Sequence, residues 1–341
     1  MMRRAVSVSA FALVLVMVIP AVALACGGLI APGHAEVLRK ATTLAAWHDG
    51  YEHYVTGFQF AGSANKFGYI IPLPGVPTKI QKAGDWTLER LDLEVNPAPE
   101  VFALAASDAR MQKAVDVLQR VKVEALNIVV VRGGGRDVAA WAKENGFDLT
   151  PDTPRVMSSY SSQGAIFALA KFDNKEAVKR GLVEGQGTVI HFTIPMKAPW
   201  IPLRILALGK GPTEVVNADL YILTDERPSL SLNGRLGDSG ITVRKSERAS
   251  EQLLGDLRSD RGMKWLPAKG MWFTALTLQS PAKALGYDLS IDGGGPPAAP
   301  QFRTIPIETT SGWVWALIVS LGIGGAVGMW LLWRPAASTV R

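Results

Sequence analysis

The chain has 341 residues, 48% of them hydrophobic, with 36 basic residues against 30 acidic ones and a formal net charge of +6. Arg3, Arg4, Arg334 and Arg341 lie in its apolar ends, which leaves about 32 basic against 30 acidic residues between them, so composition gives none of the concentrated positive charge that tracks phosphates and no nucleic-acid partner is expected. The single cysteine, Cys26, excludes a disulfide within the chain, and stability must rest on core burial.

Met1 to Arg4 is a short positive segment, and Ala5 to Ile19 is an apolar run. Pro20 breaks that run, and Ala23-Leu24-Ala25 is a small-x-small cleavage site. This is the pattern of a secretory signal peptide over residues 1–25, too short to span a bilayer comfortably. Cleavage there makes Cys26 the first residue and a candidate for lipid attachment. Ala23 stands where a lipoprotein signal has a large aliphatic residue, which favours ordinary cleavage.

His48, Asp49, Glu52 and His53 crowd one short stretch. Imidazoles and carboxylates at such spacing are metal-ligand types, and His48, Glu52 and His53 are the metal candidates. Gly50 and the strand pattern that follows argue for a solvated polar turn instead. Tyr54 to Phe60 and Phe67 to Ile71 alternate with period two and are expected as strands. Pro72, Pro74 and Pro77 predict an extended, turn-rich exit.

Ser107 to about Val121 carries an apolar stripe at helical spacing and predicts a helix. Ile128 to Val131 predicts a buried strand, and Asp137 to Asn145 a second helix with Gly146 as its stop. Gly133-Gly134-Gly135 joins them as a phosphate loop would, but without the Walker lysine or the spaced glycines of a dinucleotide site, so a turn is the expectation.

Further strands are expected at Ala165–Ala170, Thr188–Ile194, Leu203–Leu208, Leu220–Leu223, Ile241–Arg244 and Trp272–Leu278, with helices at Asn174–Val183 and Glu247–Leu257. The lack of strict alternation predicts an α+β fold, a largely antiparallel sheet ectodomain with a few helices. The body spans 26–291, and a division into two subdomains near 150–185 is left open. His191 reads as a structural histidine within its strand, and His34 sits in a Pro-Gly turn. Gly237-Asp238-Ser239-Gly240 resembles a serine-protease nucleophile motif. Ile241 and Thr242 depart from that pattern, and a tight turn accounts for the residues.

Residues 292–312 are rich in Gly and Pro and are expected as a stalk. Trp313 to Trp333 holds 21 residues without a charge, about 31 Å as a helix, which matches the hydrocarbon thickness. Trp313 and Trp315 mark one interface and Trp330 and Trp333 the other. Arg334 begins a basic cytoplasmic tail over 334–341. One C-terminal transmembrane helix is therefore expected, with the bilayer as partner and the body outside the cytoplasm. Ser320, Gly324 and Gly328 recur every fourth residue and offer a face for a homodimer or an envelope protein partner.

Several stretches together resemble a known family. They are Cys26-Gly27-Gly28, Asp49-Gly50 with Glu52, and Phe67-Gly68-Tyr69-Ile70-Ile71-Pro72-Leu73-Pro74 with Pro77. Trp141, Asn145-Gly146-Phe147, Tyr160, Ile201-Pro202-Leu203-Arg204 and Leu220-Tyr221-Ile222-Leu223-Thr224 complete them. In this order they resemble the bacterial family catalogued as domain of unknown function 2330, from Cys26 to about Arg227. The resemblance implies an exported bacterial protein, often tethered to a membrane, and supplies no activity, cofactor or catalytic residue. No catalytic constellation or cofactor is expected from the residues themselves. A non-enzymatic binding or scaffolding ectodomain is the leading reading, with an envelope hydrolase and a metal- or ligand-sensing domain as alternatives.

Overall fold

The computed structural model describes residues 28–30, 41–59, 68–84, 86–96, 117–181, 187–234, 240–300 and 303–305. In chain order its first half runs β1 (Gly28–Ile30), β2 (Ala41–His48), β3 (Tyr51–Gln59), β4 (Gly68–Leu73), β5 (Lys79–Lys82), α1 (Thr87–Val95), β6 (Val117–Val123), β7 (Leu126–Val131), α2 (Gly135–Glu144), α3 (Thr153–Ser161) and β8 (Ile166–Phe172). The second half runs α4 (Asn174–Lys179), β9 (Gly187–Pro195), β10 (Trp200–Ile201), a 3-10 turn at Arg204–Ala207, β11 (Val215–Thr224), β12 (Leu230–Gly234), β13 (Ile241–Arg248), α5 (Glu251–Ser259), β14 (Trp272–Pro281), a second 3-10 turn at Ala282–Ala284, β15 (Tyr287–Ile291) and β16 (Arg303–Ile305).

Among the described residues the strands form three sheets, ordered β1-β4-β8-β7-β6, β10-β15-β12-β16 and β13-β14-β11-β2-β3-β9-β5. Every described pairing is antiparallel except β2 with β11. The protein is α+β with mostly antiparallel sheet and few helices, as its patterning predicts.

The layers follow from strand alternation. In β8, Ile166, Ala168 and Ala170 face the central core, while Phe167 and Leu169 face α2 and α3. In β11, Leu220 and Ile222 face that central core, while Tyr221 and Leu223 face the other way, toward the α1 and α5 leucines. The order is thus α2 and α3, the five-stranded sheet, the central core, the seven-stranded sheet with the four-stranded one beside it, then α1 and α5. Strands covered on both faces read as continuous apolar runs, such as residues 166–170 of β8. The edge strand β13 is half-exposed and carries Arg244, Lys245, Glu247 and Arg248, charges that discourage edge-to-edge pairing.

Several sequence expectations are corrected. Val117–Val123 is a strand paired with β7, so the helix expected to Val121 does not reach its end there, and its part before Val117 lies outside the described residues. Val121 and Val123 alternate with Arg120 and Lys122, a period-two signal within the helical stripe. Leu203–Leu208 is not a strand. The buried Asp288 carboxylate accepts hydrogen bonds from the Leu203 and Arg204 amides at 2.9 and 3.0 Å and holds the chain in the 3-10 turn. Glu247 and Arg248 belong to β13, and α5 begins only after Ser250, whose hydroxyl accepts from Leu253 N. Pro72 lies inside β4 rather than in a turn. The described part of β1 pairs only as far as Ile70, so among the described residues no strand on that side calls for a donor from residue 72.

The segment expected as a stalk starts as folded body. Gly294 N donates to Ile291 O, Ala298 N to Gln163 O, and β16 pairs with β12. Residues 306–341 lie outside the described residues, and with them the expected span Trp313–Trp333, Arg334 and the small-residue face at Ser320, Gly324 and Gly328. The leader 1–25 and Cys26 lie outside them too. No helix among the described residues is long and apolar enough to cross a membrane.

Candidate functional site

The Asp49-Gly50 turn generates the site. Both residues have positive φ, 50° and 81°, which a two-residue type I′ turn requires and which Asp and Gly tolerate. The turn sets the β2–β3 register, with His48 opposite Tyr51, Trp47 opposite Glu52 and Ala46 opposite His53. Cross-strand neighbours share a face. His53 lies opposite Thr193 on β9, Thr193 opposite Lys79 on β5, and His191 opposite Gln81. One face of the turn end therefore gathers His48, Tyr51, His53, His191, Thr193 and Lys79. The same face continues as Leu44, Ala46 and Val55 into the core beneath α1 and α5.

The segment between α5 and β14 lays Trp265 flat on His53, with centroids 3.4 Å apart and planes 4° from parallel. His53 Nδ1 lies 2.8 Å from His191 Nε2, and the Gln81 amide nitrogen lies 3.2 Å from His191 Nδ1. Three side chains from three strands thus form one hydrogen-bonded row. His53 Nε2, at its outer end, has no hydrogen-bond partner among the described residues. Burial, then the neighbouring His191 and His48, push His53 down to about 3, and burial together with Lys79 pushes His191 down to about 4. Both rings are neutral at pH 7. His48 stands apart from the row, with Nδ1 2.7 Å from Asp225 Oδ1 at the half-exposed end of β2.

A cavity of about 550 Å³ opens above this row, lined by the turn residues His48, Asp49 and Tyr51 and by His53, Thr78, Lys79, Thr193 and Trp265. Its volume lies within the range of small-molecule sites.

The metal candidates do not converge. Strand alternation turns Glu52 to the opposite face, where Oε1 accepts from Trp200 N at 2.9 Å and Oε2 has no partner among the described residues. Burial pushes the Glu52 carboxyl up to about 8, offset in part by that amide. His48 is bonded to Asp225 and His53 to His191. Among the described residues no group of three or more His, Cys, Asp or Glu could hold a metal.

Within the triple glycine, Gly135 is a packing device. A Cβ on Gly135 would lie 2.1 Å from Ser158 N, so only glycine lets α2 meet α3 there, and Gly135 N already donates to Ser161 Oγ at 2.9 Å. Ser239 lies outside the described residues. Reasoning from sequence missed Gln81, Lys79, Trp265 and Asp225, which sit in separate segments and carry no local motif. His191 was visible within an apolar strand, where a buried histidine calls for a partner.

The family model described as "Uncharacterized protein conserved in bacteria (DUF2330)" matches residues 20–234. The chain belongs to the DUF2330 family. No curated protein and no solved structure matches it. The DUF2330 match stops at Gly234, yet the fold continues. β14 lies between β11 and β13, β15 lies between β10 and β12, and Trp265 walls the cavity.

Proposed function

We propose that this DUF2330 chain is an exported, membrane-tethered binding ectodomain of the bacterial cell envelope, and that the cavity at the Asp49-Gly50 end of the seven-stranded sheet is its ligand site. The observation that carries the reading is the convergence of four separate segments on one cavity, at whose wall His53, 7% exposed, keeps one ring nitrogen unbonded among the described residues. That nitrogen stays open to solvent at the cavity wall, where a ligand able to bond it takes the place of water. Tethering rests on the sequence, on the leader over 1–25 and the uncharged, Trp-flanked stretch Trp313–Trp333.

The envelope-hydrolase alternative draws on the His48–Asp225 hydrogen bond, the arrangement that orients a catalytic imidazole. It needs an activated nucleophile beside His48. Of the threonine hydroxyls lining the cavity, that of Thr78 donates to the Thr193 carbonyl at 3.2 Å and that of Thr193 lies 3.4 Å from His191 Nε2, and neither is bonded to His48. The binding reading therefore stands ahead.

The test has two parts. The full chain expressed in a bacterium is expected to stay with membranes through a carbonate wash and to be digested by protease added to spheroplasts. Release by carbonate together with resistance to protease would sink the tether. The purified chain is then screened by thermal shift against small-molecule classes. Stabilisation that disappears in His53→Phe is expected, and turnover of a screened ester, amide or glycoside would move the protein to the hydrolase reading.

A further inference from the structure

We propose that the cavity takes a neutral saccharide of one or two rings, with the Gln81–His191–His53 row presenting His53 Nε2 to its hydroxyls. The inference rests on the ligand-site reading above and names its ligand class.

Charge comes first. The cavity wall carries one cation, Lys79, and one anion, Asp49, which cancel. His53 is neutral, and His48 turns its Nδ1 to Asp225. A phosphate or a carboxylate would enter without net countercharge, and an organic cation likewise. Apolar ligands are disfavoured for a second reason, because such a ligand would cover Lys79, Asp49 and His53 Nε2 without bonding them.

The hydrogen-bond row narrows the choice. A neutral imidazole has one donor and one acceptor nitrogen, so each ring in a row fixes its neighbour. When Gln81 offers its amide N–H to His191 Nδ1, the His191 proton sits on Nε2 and is donated to His53 Nδ1 at 2.8 Å, the shorter of its two contacts, since the Thr193 hydroxyl lies at 3.4 Å. His53 must then carry its own proton on Nε2 and faces the cavity as a donor. When the Gln81 amide is turned over, every bond reverses, and His53 Nε2 becomes an acceptor. The wall can therefore present either polarity through one amide flip. A hydroxyl is the group that satisfies both, since it donates and accepts. Saccharides add many hydroxyls and apolar C–H faces, and the exposed ring of Tyr51, 40% accessible at the rim, offers a surface for such a face. His53 would then be a binding residue, and His191 and Gln81 positioning residues behind it.

The experiment uses the full chain in a zwitterionic, sugar-free detergent. Neutral mono- and disaccharides, their phosphorylated, uronic and amino counterparts, and apolar ligands of similar size are titrated calorimetrically to ~10 mM. At least one neutral saccharide is expected to bind more tightly than its charged counterparts. Affinity is expected to fall about tenfold or more in His53→Phe, which keeps a ring for the Trp265 stack, and in Gln81→Met, which sits behind the site. Nitrogen-15 spectra of the imidazoles, with only four histidines to assign, are expected to show the bound saccharide selecting one tautomer of both His53 and His191. Binding of no neutral saccharide, or tighter binding of every charged counterpart, overturns the proposal. If a charged or apolar ligand binds instead and His53→Phe abolishes it, the ligand site survives and the ligand class fails. If nothing in the panel binds, both fail.

Discussion

Tyr160 and Asp288 stand 128 positions apart and meet in a 2.7 Å hydrogen bond from the phenol to Oδ1, with both side chains fully buried. The same oxygen accepts the Leu203 and Arg204 amides, and Oδ2 accepts Arg204 Nη2 at 2.5 Å. The phenol oxygen in turn accepts Ile205 N at 3.0 Å, and the Arg204 guanidinium lies 4.7 Å from the Tyr160 ring. One carboxylate thus ties α3, the 3-10 turn and β15 together, joining the five-stranded sheet with its helices to the four-stranded sheet.

Removing the phenol hydroxyl leaves Ile205 N buried without its acceptor. Tyr160→Phe is expected to cost about 1–3 kcal/mol in urea unfolding. Asp288→Ala strips three amide and phenol donors and the Arg204 charge of their common acceptor, and is expected to cost about 3–5 kcal/mol. Equal and small losses in the two variants would show that the tie contributes little.

Glu52 makes stability fall as pH rises. Its folded carboxyl titrates at about 8 against 4.5 for an ordinary glutamate, because burial disfavours the charge. Below pH 4.5 both states hold the proton. Between 4.5 and 8 the unfolded chain has released it while the folded chain keeps it, so unfolding gains on the order of 5 kcal/mol across that window. Glu52→Gln, which keeps a neutral group beside Trp200 N, is expected to be more stable than the parent at pH 8 and little different at pH 4. Parallel pH profiles for the two proteins would exclude a protonated Glu52.

His53 and His191 act in the opposite sense. Their folded values, about 3 and about 4, lie below the ordinary 6.5, so the unfolded chain binds protons first as pH falls. The stability they confer is complete above 6.5 and is lost downward, ~2 kcal/mol per ring by pH 5. Glu52 gains over part of the same range and masks this, so the measurement belongs in the Glu52→Gln background. There the urea midpoint is expected to drop between pH 7 and pH 5, and His53→Phe combined with His191→Leu is expected to flatten the drop. An unchanged slope in the triple variant would assign the acid sensitivity elsewhere.

The fold was legible wherever one segment carried its own signal. The alternation expected from Tyr54 falls within β3, which runs Tyr51–Gln59, Asp49-Gly50 makes the turn its residues demand, and Ile128 to Val131 lies in the strand its apolar run implies. Failures came where a distant group decided the conformation. Leu203–Leu208 is apolar enough for a strand, but Asp288, more than 80 residues away, bends it into a turn. The site was legible only in part. His48, Glu52 and His53 drew notice by crowding, yet a strand separates neighbours onto opposite faces, so His53 shares its site with His191 and Trp265 rather than with Glu52.

Gly135 sets the distance between α2 and α3. A methyl group there would meet Ser158 N at 2.1 Å and Met157 C at 2.2 Å, both backbone atoms that cannot rotate away. Gly135→Ala is expected to destabilise by about 1–3 kcal/mol through overpacking, although alanine is the better helix former by ~1 kcal/mol. Gly134→Ala is the control, since the nearest atom there is the end of the Asp137 side chain. Equal effects at the two positions would mean that the helices part without cost.

The last prediction concerns the extent of the folding unit. A chain ending at Gly234, where the family match ends, lacks β14, β15 and α5. β11 would then lose its antiparallel partner over ten positions, from Val215–Pro281 to Thr224–Trp272, and the face bearing Tyr221 and Leu223 would lose Leu253, Leu254 and Leu257. An exposed central strand with an uncovered apolar face is an aggregation template. Expressed alone, residues 26–234 are expected to be insoluble or unfolded by circular dichroism and proteolysis. A chain ending at Ile305 keeps β16 on β12 and every described layer, and is expected to be released from the envelope as a folded, soluble protein. A folded and monomeric 26–234 fragment would show that residues 240–305, which supply two strands of the seven-stranded sheet, are an accessory to this domain.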